Sequence, residues 1–225
     1  MRFIVHKELI AFCLNVPITP CYSRKKVGRL SDLTGSGVLA KQLTSQFENN
    51  RQMILDATSR LFCEKGVDAT SFSDISHAVK LSKGTIYYYY PSKDHLIFDA
   101  AEYHLNRITD GIFAWLGAVA EDMPLEDTLL ALLTAVFQDE DACRLHICLV
   151  NYSIMGNDAI KNIMRERIDR WHTMAEVGLS KTGYAKPLTD AVFTAIDSII
   201  LHRALGILDI NEKQIGEHIA RHVWK

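Results

Sequence analysis

The sequence is poor in residues that interrupt helices, and it lacks any long apolar run. It has only five prolines and 12 glycines among 225 residues, which favours helices over strands joined by tight turns. No apolar stretch reaches the roughly 18 residues that a membrane-spanning helix needs. The five cysteines are odd in number and contain no Cys-x-x-Cys pair, which argues against a disulfide framework and is typical of a reducing compartment. We therefore expect a helical, cytoplasmic protein that does not enter a membrane.

The chain as a whole has no large excess of either charge sign, but its two ends do. Residues 1–46 carry seven basic and two acidic side chains, residues 47–95 carry six of each, and residues 96–225 carry 12 basic and 19 acidic ones. The acidic carboxyl-terminal half would be repelled by phosphate. Any nucleic acid is therefore expected to meet the amino-terminal part.

Residues 1–46 differ from the rest of the chain in composition and in periodicity. They contain Pro17, Pro20, a basic cluster from Arg24 to Arg29 and the small-residue stretch Thr34–Gly37. No helical period persists there, so we expect a disordered or weakly ordered extension. One alternative is a translation start assigned too far upstream. Another is a basic arm that touches the DNA backbone or minor groove. The charged residues Lys7 and Glu8 argue against a signal peptide.

Residues 47–95 show the spacing of short, capped helices. Apolar positions from Ile54 to Phe62 recur at helical intervals, and Gly66 ends that helix. Thr70 and Ser71 can cap a second helix, Lys80 and Leu81 form a turn, and Ser82 caps a third helix that Pro91 ends. Ser92 then caps a fourth helix. Two short helices joined by a tight turn and braced by a longer one predict a helix-turn-helix.

The third helix carries four consecutive tyrosines, 87 to 90. They cannot all be buried, because each phenol would then need an internal partner. Ile86 and Tyr90 have core spacing, while the others face outward with Lys83, Gly84 and Thr85. Tyrosine hydroxyls suit phosphate oxygens and their rings suit thymine methyl groups, and Lys93 lies in the first turn of the next helix, where free N–H groups favour an anion. A protein–protein surface is the alternative.

Residues 50–98 resemble the DNA-binding domain of the tetracycline-repressor (TetR/AcrR) family. The matching stretches are Ile54–Ala57, Leu61–Gly66, Ala69–Ile75, Ser82–Tyr87 and Tyr90–Lys93, followed by Leu96. The resemblance implies an all-α homodimer with a three-helix DNA-binding domain at 47–95 and a helical ligand-binding and dimerisation domain at 96–225. It also implies DNA contacts from the second helix (Thr70, Ser71, Ser73), the third (Lys83, Gly84, Thr85, Tyr87, Tyr88, Tyr89) and the fourth (Lys93).

Two positions depart from the family pattern. Lys80 occupies a turn position that is often glycine, so we expect an altered or strained backbone there. Ser73 stands where an arginine is often found, which removes one potential reader of guanine. Both departures bear on the operator sequence rather than on DNA binding itself.

The carboxyl-terminal part reads as helices over about 96–116, 125–138, 143–155, 159–179, 187–208 and 211–223. The fifth of these is apolar on more than one face, with Val192, Phe193, Ile196 and Ile199 among its residues. We expect it to form a dimer four-helix bundle, through residues of about 188–208 and 211–223. A buried central helix of a monomer is the alternative.

A group of large and polar residues on these helices is a candidate ligand pocket. Its members are Trp115, Phe137, Asn151, Tyr152, Met155, Trp171 and His172. Helical ligand sites are mostly apolar with a few polar groups, as this set would be. Plain core packing is the alternative for each residue taken alone.

Cys143, His146 and Cys148 lie close together in sequence. With His172 or His202 they could hold a metal ion, or the thiols could sense oxidants. Core packing is the simpler explanation, so we expect no metal and no cofactor. No catalytic motif occurs, which leaves a helical enzyme as a remote alternative. We expect a sequence-specific regulator, a repressor that a small molecule releases from a near-palindromic operator.

Overall fold

The structure, a computed structural model, describes residues 37–136, 140–183, 186–206 and Gln214. Within these ranges the chain forms eight α-helices and no strand, which confirms the all-α prediction. The helices are α1 (Gly37–Lys65), α2 (Phe72–Val79), α3 (Lys83–Tyr89), α4 (Lys93–Ala118), α5 (Leu125–Val136), α6 (Glu140–Ile154), α7 (Asp158–Lys181) and α8 (Lys186–Ala204). None of these helices combines the length and apolarity that a membrane span requires.

The chain divides into two compact units, residues 1–54 and residues 55–225. In the first unit the described residues, 37–54, are all helical. The expectation of an extension without helix is therefore wrong for residues 37–46, where Val38–Leu43 offers good helix formers such as alanine, leucine, lysine and glutamine. The basic cluster from Arg24 to Arg29 lies outside the described residues.

In the second unit the long helix α4 is central. It packs against α5, α6 and α7, while α6 and α7 also pack against each other and against α8. The apolar side chains between them are fully or almost fully buried: Leu105, Ile112, Leu129, Leu132, Leu133, Leu149, Met174 and Leu179. Each such burial stabilises the fold by roughly 1.5–3 kcal/mol. The predicted helix bounds in this part hold to within a few residues, although α8 ends at Ala204 rather than Leu208. The predicted last helix, 211–223, falls outside the described ranges apart from Gln214.

The crossing of α4 and α7 is close because glycine lies at the contact. A Cβ atom added to Gly178 would overlap the indole ring of Trp115. The Trp115 ring is buried, and its N–H donates a hydrogen bond to the Thr128 carbonyl at 3.0 Å. Trp115 therefore serves as a packing residue that joins α4, α5 and α7.

A buried ion pair also joins α4 to α7. The Arg167 guanidinium lies 2.7 Å from a Glu102 carboxylate oxygen, and the arginine is only 6% exposed. Thr109 accepts a hydrogen bond from the Trp171 indole N–H at 2.8 Å beside it. Removing one partner of such a pair leaves a buried charge unpaired, which is strongly destabilising.

The turn between α2 and α3 depends on Lys80. This residue is left-handed, with φ 55° and ψ 35°, and it is the one non-glycine residue with positive φ in the described ranges. The Leu81 N–H donates to the Ser76 carbonyl at 3.2 Å and the Lys80 N–H to the His77 carbonyl at 3.4 Å, which is the Schellman pattern of helix ends. The Ser76 hydroxyl closes the loop further by donating to the Leu81 carbonyl at 2.6 Å. The altered backbone expected at Lys80 is confirmed.

Replacing Lys80 by glycine should stabilise the fold. A side chain in the left-handed region costs about 1–2 kcal/mol, part of which the added freedom of glycine in the unfolded chain offsets. We expect Lys80→Gly to raise the free energy of unfolding by about 0.5–1 kcal/mol in urea titrations. Lys80→Ala is the control, because it keeps the strained backbone and should give no gain. Equal gains from both variants would contradict strain at this turn.

Candidate nucleic-acid interface and adjoining cavity

The start of α2 is held by a reciprocal cap. The Ser71 hydroxyl accepts a hydrogen bond from the Asp74 N–H at 3.3 Å, and the Asp74 carboxylate accepts one from the Ser71 N–H at 2.8 Å. The same carboxylate lies 2.6 Å from the Lys65 ammonium at the end of α1. The hydrogen bond from Lys65, followed by those from Ser71, holds the pKa of Asp74 well below its usual range. The cap therefore fixes α2 against the end of α1.

The third helix is fixed at both of its ends. The Ser82 hydroxyl caps its start by accepting a hydrogen bond from the Thr85 N–H at 3.0 Å. At its other end the Tyr90 phenol is buried, only 4% exposed, and donates to a carboxylate oxygen of Asp99 at 2.7 Å. With Ile86 fully buried as well, α3 is attached to the protein along one side.

The opposite side of α3 faces solvent. Lys83 and Gly84 are exposed, and the side chains of Tyr87 and Tyr88 are 55% and 69% exposed. Thr85 and Tyr89 are half-buried. The Tyr87 ring packs edge-to-face on Phe72 of α2 at 4.8 Å, which orients it without covering it. The tyrosine run thus divides as its spacing predicted for Tyr90, which is buried, and for Tyr87 and Tyr88, which are exposed, while Tyr89 is intermediate.

The predictions for the second helix need one correction. Thr70 is 2% exposed, and its hydroxyl donates to the Gly66 carbonyl at 2.8 Å, so the predicted DNA contact through this side chain is wrong. Thr70 lies before α2 and closes the α1–α2 loop instead. Ser71 is exposed but its hydroxyl is engaged in the cap, and Ser73 is half-buried on the first turn of α2.

Lys93 occupies the first turn of α4, as predicted. Ser92 caps this helix by accepting from the His95 N–H at 3.4 Å. The Lys93 ammonium donates to the Asp68 carbonyl at 2.6 Å, and the side chain is half-buried. An ammonium has three donors, so this bond positions the charge and leaves donor capacity for another acceptor.

The histidine and cysteine residues considered as metal ligands are not brought together in the described ranges. Cys143 and His146 are buried, and the His146 ring meets His104 of α4, with 3.3 Å between the two nitrogens. Over the described ranges no group of three or more potential ligands comes together. His172, considered as a further ligand, stacks on Phe193 at 3.7 Å.

The residues predicted to line a ligand pocket are not brought together. Met155 is 78% exposed and Asn151 is exposed, because both lie on the outer face at the end of α6. Trp115 packs against Gly178. Trp171 borders a small cavity of about 30 Å³. Tyr152 and His172 are half-buried. Phe137 lies outside the described residues. The described members of this set do not line one common cavity, and a ligand pocket formed by them stays a prediction.

A larger cavity of about 210 Å³ lies among α1, α4 and α6. Its walls carry Asp56, Ser59, Arg60 and Cys63 from α1, Tyr103, His104 and Arg107 from α4, and Asp141, Ala142 and Leu145 at the start of α6. Charges of both signs therefore face one small space. The Ser59 hydroxyl is buried there, and in the described part of the chain it has no hydrogen-bond partner. A buried hydroxyl without a partner costs free energy unless a bound molecule satisfies it.

Removing the Ser59 hydroxyl should stabilise the ligand-free protein. Ser59→Ala relieves the cost of an unsatisfied buried group, so we expect the free energy of unfolding to rise by about 1 kcal/mol. Ser153→Ala is the matched control, because that buried hydroxyl donates to the Val150 carbonyl at 2.7 Å and its loss should destabilise. A destabilised Ser59→Ala variant would mean that the hydroxyl is already satisfied in the ligand-free protein.

The His104–His146 pair should make the fold sensitive to acid. Burial, followed by the charge of His146, lowers the pKa of His104 to about 3, and burial lowers that of His146 to about 4. Because both values lie below the unfolded value of about 6.5, unfolding takes up protons below that pH, and stability is lost as the pH falls towards 4.

We expect the free energy of unfolding to drop by roughly 2–4 kcal/mol between pH 7 and pH 5. In His104→Gln the slope of this free energy against pH should fall by about one proton. The slopes come from urea titrations at several pH values. An unchanged slope would contradict a neutral, buried His104.

Comparisons of the chain with known proteins indicate which class of protein has this arrangement of helices. Residues 54–100 match the family model described as bacterial regulatory proteins, tetR family. The chain is 26% identical over 187 residues to the HTH-type transcriptional regulator PksA of Bacillus subtilis (strain 168), covering 78% of this chain and 89% of that protein. It is 30% identical over 100 residues to the HTH-type transcriptional repressor KstR2 of Rhodococcus jostii (strain RHA1), covering 44% and 47%.

Solved structures agree at the level of fold. A transcriptional regulator of this class from Aquifex aeolicus VF5 superposes with a TM-score of 0.61 at 21% identity, over 77% of this chain and 96% of that one. The protein is thus a helix-turn-helix DNA-binding transcriptional regulator. Its residues 54–100 carry the tetR-family domain, and the chain is similar to TetR/AcrR-type regulators over most of its length.

Sequence reasoning missed the features of the cavity. Cys63 is half-buried and borders the cavity. Ser59 gave no signal at all, since a serine on a polar helix turn is unremarkable until its surroundings are known. The pairing of His104 with His146 spans 42 positions, and nothing in local spacing indicates it.

Proposed function

We propose that this regulator is a repressor that binds a near-palindromic operator as a homodimer and is released by a small polar molecule. Its activity on this proposal is binding, not catalysis. The observation that carries the DNA-binding part is the exposed face of α3, with Lys83, Tyr87 and Tyr88, on a helix attached from behind by Ile86 and Tyr90. A rigidly held helix with a cationic and aromatic outer face suits entry into a major groove.

The proposed contacts divide by their chemistry. Lys83, Gly84 and Thr85 at the start of α3 would approach base edges, and Tyr87, Tyr88 and Tyr89 would span the backbone and groove. Ser71 and Ser73 would contact the backbone from α2. Lys93 would use its second and third donors on a phosphate while Asp68 holds it in place.

A dimer is supported by the outer face of α8. Leu201 and Leu205 are 46% and 61% exposed, and residues four apart share one helix face. We propose that this face, together with residues 211–223, meets its copy in a partner subunit. Two α3 helices would then reach successive major grooves about 34–36 Å apart.

The effector is proposed to bind in the 210 Å³ cavity among α1, α4 and α6. The unsatisfied Ser59 hydroxyl and the paired signs of Arg107 and Asp141 favour a compact molecule that both donates and accepts hydrogen bonds. Since α1 braces the helix-turn-helix, an occupant that shifts α1 would alter the distance between the two α3 helices. A coupling of about 1–3 kcal/mol is enough for regulation.

Substitutions on α3 test the DNA-binding face. We expect Lys83→Ala and Tyr88→Ala each to lower operator affinity about tenfold, because each removes a contact of about 1.4 kcal/mol. Only Lys83→Ala should also reduce the salt dependence of binding, by about one phosphate. Fluorescence anisotropy at several salt concentrations measures both quantities. The control is Lys161→Ala, which removes an exposed lysine on α7; equal losses in this control would contradict the assignment of the α3 face.

A further inference from the structure

Two thiols meet where α1 crosses α6. The Cys63 thiol on α1 lies 3.8 Å from the Asp141 carbonyl at the start of α6, and the Cys148 thiol on α6 donates to the Phe62 carbonyl of α1 at 3.6 Å. The Cys148 sulfur therefore lies next to the backbone of Cys63. Both are free thiols.

The pair is accessible. Cys63 and Cys148 are both half-buried, and Cys63 lines the 210 Å³ cavity. A small molecule in that cavity would lie beside the Cys63 sulfur. Cys143, on the same helix as Cys148, is only 4% exposed, so it serves as an internal control for reactivity.

The two sulfurs differ in acidity in a way that suits stepwise oxidation. The hydrogen bond from Cys63, aided by the charge of Arg144, lowers the pKa of Cys148 to about 7. The same hydrogen bond, together with burial, raises the pKa of Cys63. Cys148 thus supplies a thiolate at neutral pH, while Cys63 retains its proton. A thiolate, not a thiol, attacks a peroxide.

The geometry points to Cys63 and Cys148 as a dithiol modification site that a small peroxide converts into a disulfide joining α1 to α6. In the first step the Cys148 thiolate attacks a peroxide oxygen, forms an S–O bond and breaks the O–O bond, giving a sulfenic acid and hydroxide. In the second step the Cys63 sulfur attacks the Cys148 sulfur and releases water. Overall, two thiols are oxidised by two electrons and one peroxide is reduced.

The test uses the reduced full-length chain and hydrogen peroxide in slight excess, followed by trypsin without reductant. Cleavage after Arg60 and Arg144 places Cys63 in peptide 61–65 and Cys148 in peptide 145–161, apart from Cys143. We expect these two peptides to be recovered linked, with two of the five thiols lost from each chain. Treatment with dithiothreitol should separate them.

Variants distinguish this chemistry from unspecific oxidation. Cys143→Ala should form the link as the parent does. Cys63→Ser should leave Cys148 as a sulfenic acid that dimedone traps, and Cys148→Ser should leave Cys63 reduced. The proposal is overturned if both thiols stay reduced, if Cys148 proceeds to sulfinic acid in the parent chain, or if either cysteine links to another cysteine or another chain.

The consequence for regulation rests on the proposed function. A covalent link would hold α1, and with it the helix-turn-helix, against α6. We expect the oxidised protein to differ at least about fivefold from the reduced protein in operator affinity, reversibly and only when both cysteines are present. Reduced protein that fails to bind any operator would count against the proposed function alone, whereas equal affinity of linked and reduced protein would overturn the regulatory consequence.

Discussion

The geometry of the helix-turn-helix depends on how the chain turns between α2 and α3. Lys80 enters the left-handed region, and the Ser76 carbonyl and hydroxyl then bind the N–H and carbonyl of Leu81. This closed turn determines the direction in which α3 leaves α2. Since Ile86 and Tyr90 then enter the core, Tyr87 and Tyr88 between them face solvent. A non-glycine residue held at positive φ is a local cost that the surrounding contacts have to offset.

The long helices α1 and α4 connect the helix-turn-helix to the rest of the protein. Helix α4 begins at Lys93, next to the proposed DNA face, and over its 26 residues it passes His104 and Arg107 before it ends beyond Trp115. Helix α1 ends at Lys65, which pairs with Asp74, and it carries the cavity residues Ser59 and Cys63 within the last two turns. The same two helices therefore border the cavity and support the helix-turn-helix. The proposed ligand binding and thiol chemistry would both act on the contacts of α1 or α4 with α6, where His104 and His146 are also buried.

The sequence was informative where local chemistry decides structure. Ser71, Ser82 and Ser92 were identified as helix caps because cap residues act on N–H groups three positions away, and all three form the predicted hydrogen bonds. The division between Tyr90 and its exposed neighbours followed from helical period alone. The left-handed Lys80 was indicated by a residue type that departs from a known pattern.

Properties that depend on distant segments could not be predicted in this way. Thr70 has the right residue type for a DNA contact, but its burial depends on how the loop after α1 folds back. Helical spacing also does not say which face of α6 turns inward, and Met155 and Asn151 are exposed rather than grouped with the other predicted pocket residues. Cys63 and Cys148 are 85 positions apart in sequence, and only the crossing of α1 and α6 brings the Cys148 thiol to the Phe62 carbonyl beside Cys63.

Whether the protein binds DNA as a dimer through α3 is tested most directly by a hydroxyl-radical footprint of the full-length protein. The DNA fragment is selected from a random pool at low salt. For such a dimer we expect enrichment of a near-palindromic sequence with two protected regions on one side of the duplex, about 34–36 Å apart between major-groove centres. Failure to enrich any sequence, or protection of a single groove at saturating protein, would contradict a dimeric regulator that reads DNA through α3.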